Sequence, residues 1–427
     1  MSINFRRKLF LSFVLFFLIV GTGIIYYSQG FRIDLASFSI KKTGAIYIES
    51  LPRDALIFIN GKEFSNKSSI LQKGTLITNI LPKKYRLILK KEGFHEYQKN
   101  IEVFPSQVTR ILNALLIPQT LKKETIAQNL KGEKLIDIDN FQNVLTQDKN
   151  NTYYLTSLKK ETNFNLSSRI ASFFKSKIIN LKFSPQEENA FLAQTVKGIY
   201  LLNLDQQKTS LLLEGEFENF FATEKNLYAL KVERSKKNEI TSKKIIIYDL
   251  TLNKEVFQEE FSFFNPQEKV IDLKVGNGLL AFLLENGALG IYSPDEKSFR
   301  QIAFKAKQFS FSPDKSKIVF QDKDGKIFVY LLSDEIVSLE APKESYLRIQ
   351  VADASKIEKI YFYKDSFHLL LEYPHQIQIA EITKLEPNNQ FLITNKKGEA
   401  AYLLAENKIY LLEDTSLKRV DLNFSPY

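Results

Sequence analysis

The sequence predicts an all-β protein apart from one N-terminal transmembrane helix: a small β-sandwich-like module followed by a β-propeller of about seven blades. Three observations carry this. Residues 9–27 are apolar and uncharged, residues 43–118 hold five β-prone runs, and a loose strand-rich unit recurs from residue 135 to the end. The chain divides into a cytoplasmic tail (1–8), the transmembrane helix (9–27), a linker (28–42), the β module (43–118), a linker or ring-closing strand (119–134) and the propeller (135–427).

About 20 apolar residues in helical form cross the roughly 30 Å hydrocarbon layer of a bilayer. Arg6, Arg7 and Lys8 stand just before the run. Basic residues stay on the cytoplasmic side, so these three set the topology, with the N-terminus inside and residues 28–427 outside. Tyr26 and Tyr27 fall where an interfacial aromatic belt sits. A cleavable secretory signal starts in the same way but ends in small residues arranged like Ala-x-Ala. Here Gly21-Thr22-Gly23 is followed by bulky Ile24, Ile25, Tyr26 and Tyr27, and Ala36 is the first alanine of the chain. The expectation is an uncleaved single-pass anchor in the cell membrane, with the bulk of the chain extracytoplasmic. Residues 28–42 read as a short, extended polar link.

Within residues 43–118, Gly44 to Ser50 is a strand candidate, Leu51-Pro52-Arg53-Asp54 a turn, and Ala55 to Ile59 a second strand closed by Asn60-Gly61, a strong hairpin signal. Tyr85 to Lys90, His95 to Phe104 and Val108 to Leu116 supply three more strands. The first 118 residues carry 17 Lys+Arg against 7 Asp+Glu, which is the whole net charge of +10, and the remainder is neutral. A basic membrane-proximal part suits anionic headgroups or wall polymer. Lys83, Lys84, Arg86, Lys90 and Lys91 lie on one later hairpin and are the candidate contacts to anionic lipid or polymer. The competing explanation is a solvated strand face with Tyr85, Leu87 and Leu89 turned inward.

The spacing Gly44-x-Ile46-x-Ile48-x-Ser50-x-Pro52-x-Asp54-Ala55-x-Ile57-x-Ile59-Asn60-Gly61-Lys62 resembles the PEGA domain, as do Ile80-Leu81-Pro82-x-x-Tyr85 and Lys91-Glu92-Gly93-Phe94-x-x-Tyr97. The Gly-x-Thr-Pro of that family has no clean counterpart, and Lys84 stands where a glycine usually precedes the tyrosine. The resemblance implies a surface-exposed β module of bacterial envelope proteins and brings no catalytic residue with it.

Further on, Leu181-Lys182-Phe183-Ser184-Pro185 recurs as Phe309-Ser310-Phe311-Ser312-Pro313-Asp314, each followed by an apolar strand, a glycine turn and a third strand. The two Ser-Pro pairs lie 128 residues apart. That is about three units of 43, within the range of four-stranded blades. Small sheets of this kind bury both faces only when packed in a ring, and ring closure often pairs a strand from one terminus with the last blade. Residues 122–130 are placed to complete the blade near Tyr410. The repeats resemble WD40-like and TolB-like propellers, without the Trp-Asp signature of true WD40 repeats.

No catalytic, cofactor or metal constellation is expected. The chain has no cysteine, which excludes disulfides, thiol chemistry and cysteine metal sites. Its three histidines, His95, His368 and His375, have no nucleophile elbow to serve. Asp322-Lys323-Asp324-Gly325 reads as a hairpin turn rather than a calcium loop, and Asp137 and Asp139 as ordinary strand patterning. The expected function is a membrane-anchored extracytoplasmic binding or scaffolding protein of the bacterial cell envelope, not an enzyme. Its partners would be the membrane, cell-wall polymer or envelope proteins, and not nucleic acid. Two alternatives are an envelope glycan-active enzyme with carboxylates about 5–10 Å apart at the propeller centre, and a surface sensor acting through the helix.

Overall fold

A computed structural model describes residues 3–424 except 36–37, 70–71, 161, 175, 336–338 and 340. The C-terminal Tyr427, whose side of the membrane would report the topology, lies outside the described residues. Helix α1 spans Ile3–Ser28, and none of its apolar window 5–28 is buried against protein. Its mean hydropathy of 2.5 makes it long and apolar enough to cross a bilayer. Residues 28–42 are not an extended link. Phe31–Asp34 and Ser39–Lys42 pair antiparallel as a hairpin, with Ile33 opposite Ile40. The short alternation Phe31-Arg32-Ile33-Asp34 has strand period, and Lys41 closes the ladder on Asp34 at 2.7 Å.

The module is two facing sheets. One orders Thr75–Ile80, Gly44–Leu51 and Val108–Leu115, the last two strands running parallel. The other orders Lys62–Phe64, Leu56–Ile59, Lys84–Lys90 and Tyr97–Glu102. Ile46, Ile48, Ile57, Ile59, Leu87, Leu89 and Ile101 fill the space between them. The hairpin at Asn60-Gly61 forms because both residues take positive φ, 49° and 80°, which a two-residue turn requires. Gly44 is fixed by a close approach, since a Cβ there would meet the Phe104 carbonyl oxygen at 2.3 Å. Thr75–Ile80 and Lys62–Phe64 are additional to the five strands read from the sequence; Thr75–Ile80 alternates, but polar Thr78 and Asn79 weaken its apolar signal.

Among the described residues, seven four-stranded antiparallel sheets come next. Six are continuous in sequence: 134–165, 178–214, 216–260, 270–303, 306–349 and 359–395. The seventh joins Glu399–Leu403, Lys408–Glu413 and Ser416–Asp421 to Lys123–Ala127, which comes from before the first sheet. Each sheet shares an apolar core with the next, and the last packs on the first through Leu135, Ile138 and Val144 against Tyr410, Leu412 and Leu417. The arrangement is propeller-like. It explains why Leu279–Leu284 reads as a continuous apolar run: Leu280, Phe282 and Leu284 face the third sheet, while Ala281 and Leu283 face the fifth. A strand covered on both faces loses the hydrophobic alternation of a half-exposed one.

Candidate functional site

The residues singled out from sequence fall in two places. Arg6, Arg7 and Lys8 are exposed on the first turns of α1. The basic run lies on Lys84–Lys90 and its flanks, where Leu87 and Leu89 are fully buried and Tyr85 packs on the same core. Strand alternation therefore turns Lys84, Arg86 and Lys90 to the opposite face. Lys83 and Lys84 are exposed, and Lys83 lies 5.2 Å from the Tyr85 ring. Arg86 donates to the Gln98 amide oxygen at 2.9 Å. Lys90 pairs with Glu96 and Lys91 with Asp54, both at 2.6 Å. The five cations do share a hairpin, but two of them are met by carboxylates of the module itself.

The strongest polar cluster is elsewhere, where the module meets the sixth sheet. Lys99 comes from the module's edge strand and is completely buried. Its ammonium has three acceptors for three protons: Glu381 Oε2 at 2.8 Å, the Pro387 carbonyl at 2.8 Å and the Leu385 carbonyl at 3.1 Å. Glu381 Oε1 accepts from the Tyr97 hydroxyl at 2.8 Å, and Oε2 also accepts from Asn389 Nδ2. Burial, then the Glu381 charge, pushes the Tyr97 phenol well above its ordinary range, so it stays a donor. The loop after Glu381 also covers the strand edge. Asn100 N–H donates to the Glu386 carbonyl at 2.7 Å, and the Asn389 amide exchanges hydrogen bonds with both main-chain groups of Gln98. Beside the clamp, the His95 ring stacks on Phe391 at 4.9 Å.

Behind Glu381, paired to it across the ladder, sits His368. Its Nδ1 lies 2.7 Å from Asp365 Oδ2. Burial opposes the charged ring, but the Asp365 carboxylate outweighs burial, with a further contribution from Glu381, and the imidazole pKa is raised. Burial likewise works against the Asp365 charge, yet His368 and the main-chain N–H groups of Phe367 and His368 hold its pKa below normal. The sequence reading missed this cluster because Lys99 and Glu381 are 282 positions apart and neither strand carries a motif.

Around the centre of the ring, inner strands of neighbouring sheets lie side by side: Lys134–Ile138 beside Glu399–Leu403, Glu216–Ala222 beside Val270–Gly276, and Ala306–Phe311 beside Lys359–Phe362. Lysines on inner strands stitch sheet to sheet: Lys182 donates to the Phe220 carbonyl, Lys274 to that of Phe309, Lys307 to that of Ile357 and Lys359 to that of Ala400. Asp137 and Asp272 both favour the charged form of Lys182, although burial lowers the pKa of that lysine overall. Burial also raises the Asp137 carboxyl to about 6, against the pull of hydrogen bonds from Ile138 and Phe183 and of the Lys182 charge. Asp322 and Gly325 do form a turn, with Lys326 N–H donating to Asp322 Oδ1 at 2.7 Å and Gly325 at φ 85°. Among the described residues, no group of three or more His, Asp or Glu is placed to hold a metal ion.

The PEGA domain family model matches residues 43–116. No curated protein matches the chain. Among solved structures, the chain is similar to the β-propeller domain of Cps50 (Swd1) from Myceliophteria thermophila, at 10% identity and a TM-score of 0.47, covering 71% of this chain and 100% of that one. It is also similar to a chain of a mitotic checkpoint complex, at 10% identity and a TM-score of 0.47, covering 72% of this chain and 94% of that one.

Proposed function

We propose that this is a membrane-anchored scaffolding or binding protein of the bacterial cell envelope. In this reading α1 is an uncleaved anchor, the PEGA module braces a seven-bladed propeller near the membrane, and the propeller offers its far end to a protein or glycan. The observation that carries it is the clamp of Lys99, Tyr97 and Asn389 on Glu381 and Gln98, which ties the anchored module to the ring. The module occupies the end of the sixth sheet formed by the turn 363–368 and the loop 382–389. Antiparallel order leaves the opposite ends, with turns such as 195–198, 284–289 and 322–326, free of it. The paired carboxylates Glu218–Lys243 at 2.7 Å and Glu372–Lys396 at 2.8 Å support a structural rather than catalytic use of charge.

Labelling of Phe304→Cys in intact cells by a membrane-impermeant maleimide tests the placement. Phe304 is 78% exposed, and the chain has no other cysteine. Labelling of intact cells is expected, and labelling only after lysis would overturn the topology. A second reading, an envelope glycan-active enzyme, draws on the Asp137 carboxyl at about 6, a value suited to a general acid. It requires polymer hydrolysis that disappears in both Asp137→Asn and Asp272→Asn.

A further inference from the structure

We propose that the hairpin Phe31–Lys42 is a second membrane contact, lying in the headgroup layer beside α1 with its apolar face in the lipid. The proposal rests on reading α1 as membrane-spanning.

The hairpin is amphipathic across its two faces. The pairs Phe31–Lys42 and Ile33–Ile40 put one set of side chains on one face, and Arg32–Lys41 and Asp34–Ser39 put the others on the opposite face. The polar face is engaged. Arg32 donates to the Asn79 side chain of the module at 2.9 Å and lies 3.6 Å from the Tyr27 ring. Lys41 pairs with Asp34, and Asp34 lies close enough to Tyr85 of the module to help raise that phenol, after burial. The apolar face is bare: Ile33 is 66% exposed, Ile40 65%, and Leu35 and Phe38, just beyond the paired residues, 76% and 88%. A two-stranded hairpin is marginally stable in water, and an apolar face on it needs a cover.

Position identifies the cover as lipid. The first strand begins three residues after α1 ends, and Tyr26 of the helix meets Phe31 edge-on at 5.3 Å. Thr43 N–H donates to the Gly30 carbonyl at 2.9 Å and closes the base of the hairpin onto the helix end. The apolar face therefore starts at the level where the helix leaves the hydrocarbon. Lys42, exposed at its base, supplies positive charge that anionic headgroups attract. Partial burial of apolar side chains at the acyl boundary, backed by basic residues, is how interfacial elements bind bilayers. With helix and hairpin both held, the module has a fixed tilt on the membrane.

The test uses the full chain, free of native cysteine, reconstituted in vesicles of phosphatidylcholine and phosphatidylglycerol. Leu35→Cys, Phe38→Cys, Ser39→Cys, Phe16→Cys and Phe304→Cys are each labelled with an environment-sensitive fluorophore. Labels at 35 and 38 are expected to be blue-shifted, quenched by lipids spin-labelled near the headgroup and shielded from aqueous iodide. The label at 16 should be quenched by lipids labelled deep in the chain, and those at 39 and 304 should remain open to iodide. Iodide-accessible labels at 35 and 38, with 16 still quenched by deep lipid, would overturn the hairpin proposal and leave the anchor standing. Shielding at 35 and 38 without lipid quenching, growing with protein density, would assign the face to a second copy instead and also overturn it. Loss of deep quenching at 16 would remove the anchor reading and this proposal with it.

Discussion

The ring and the module are joined by two seams, of which the second adds a completely buried lysine and its carboxylate to its apolar packing. Where the last sheet meets the first, Leu135, Ile138 and Val144 pack on Tyr410, Leu412 and Leu417, and Lys123–Ala127 adds a strand ladder. Where the module meets the sixth sheet, Leu115 and Ile117 pack with Tyr363, Ile377 and Ile379, and the seam also holds a buried ion pair with every proton of its ammonium engaged. An apolar seam gains roughly in proportion to area and tolerates apolar side chains of similar volume. A buried charged seam is less forgiving. Complete, it fixes one docking geometry; with one partner missing, it leaves a charge stranded in a dry site.

The largest expected effect comes from that asymmetry. Lys99→Ala should cost about 3–5 kcal/mol, because Glu381 stays buried without its counter-charge. Urea unfolding followed by circular dichroism should then show the module melting before the ring. The double variant Lys99→Met with Glu381→Gln should recover much of that loss, since it removes both charges. If Lys99→Ala left a single unshifted transition, the seam would not be the brace described here.

Next, Leu417→Ala should cost about 2–5 kcal/mol, the usual range for a buried leucine. The loss should appear in the ring transition and leave the module seam intact. A loss confined to the module would break the distinction between the two seams.

A pH titration separates them further. The His368 pKa is raised in the folded state, so its contribution is complete below its ordinary value of 6.5 and fades as pH rises through the folded value. Asp365 is lowered, so its contribution is present above its ordinary 3.8 and is lost as pH falls through the folded value. Stability of the sixth sheet should therefore fall on the alkaline side with a slope of at most about 1.4 kcal/mol per pH unit, and His368→Gln should flatten that slope. Lys99 and Glu381 face the same histidine, so the Lys99→Ala seam should shift the slope, whereas Leu417→Ala should not.

The smallest effect is expected at the surface. Lys91→Ala breaks the pair with Asp54, whose side chain is 71% exposed, and should cost under about 1 kcal/mol. Co-sedimentation of the Lys83→Ala, Lys84→Ala and Arg86→Ala variants with anionic vesicles and with wall polymer, at low and high salt, reads the binding role of that face separately from stability.

Much of the architecture was legible because its signals are local. The uncharged run from Leu9 to Tyr27, the Asn60-Gly61 turn and the repeated Phe-Ser-Pro each act within a few residues. The hairpin Phe31–Lys42 is not legible, since four-residue strands of mixed polarity give too short an alternation to register. Strand period tells which face Asp137 takes and nothing about the Lys182 charge that lies near it.

By itself, then, the sequence determined the apolar helix, the β character of the chain beyond it, the basic bias of the first 118 residues and the absence of thiol chemistry. These depend on composition and on periods of two or a few residues, which the chain carries in one dimension. The tertiary structure alone decided that Lys99 is completely buried while Lys91, eight residues earlier, is half-buried and paired with an exposed Asp54. It also decided that a histidine sits behind the clamp. Each of those depends on which distant groups replace water around a charge or a methyl, and that is set only when the chain has folded.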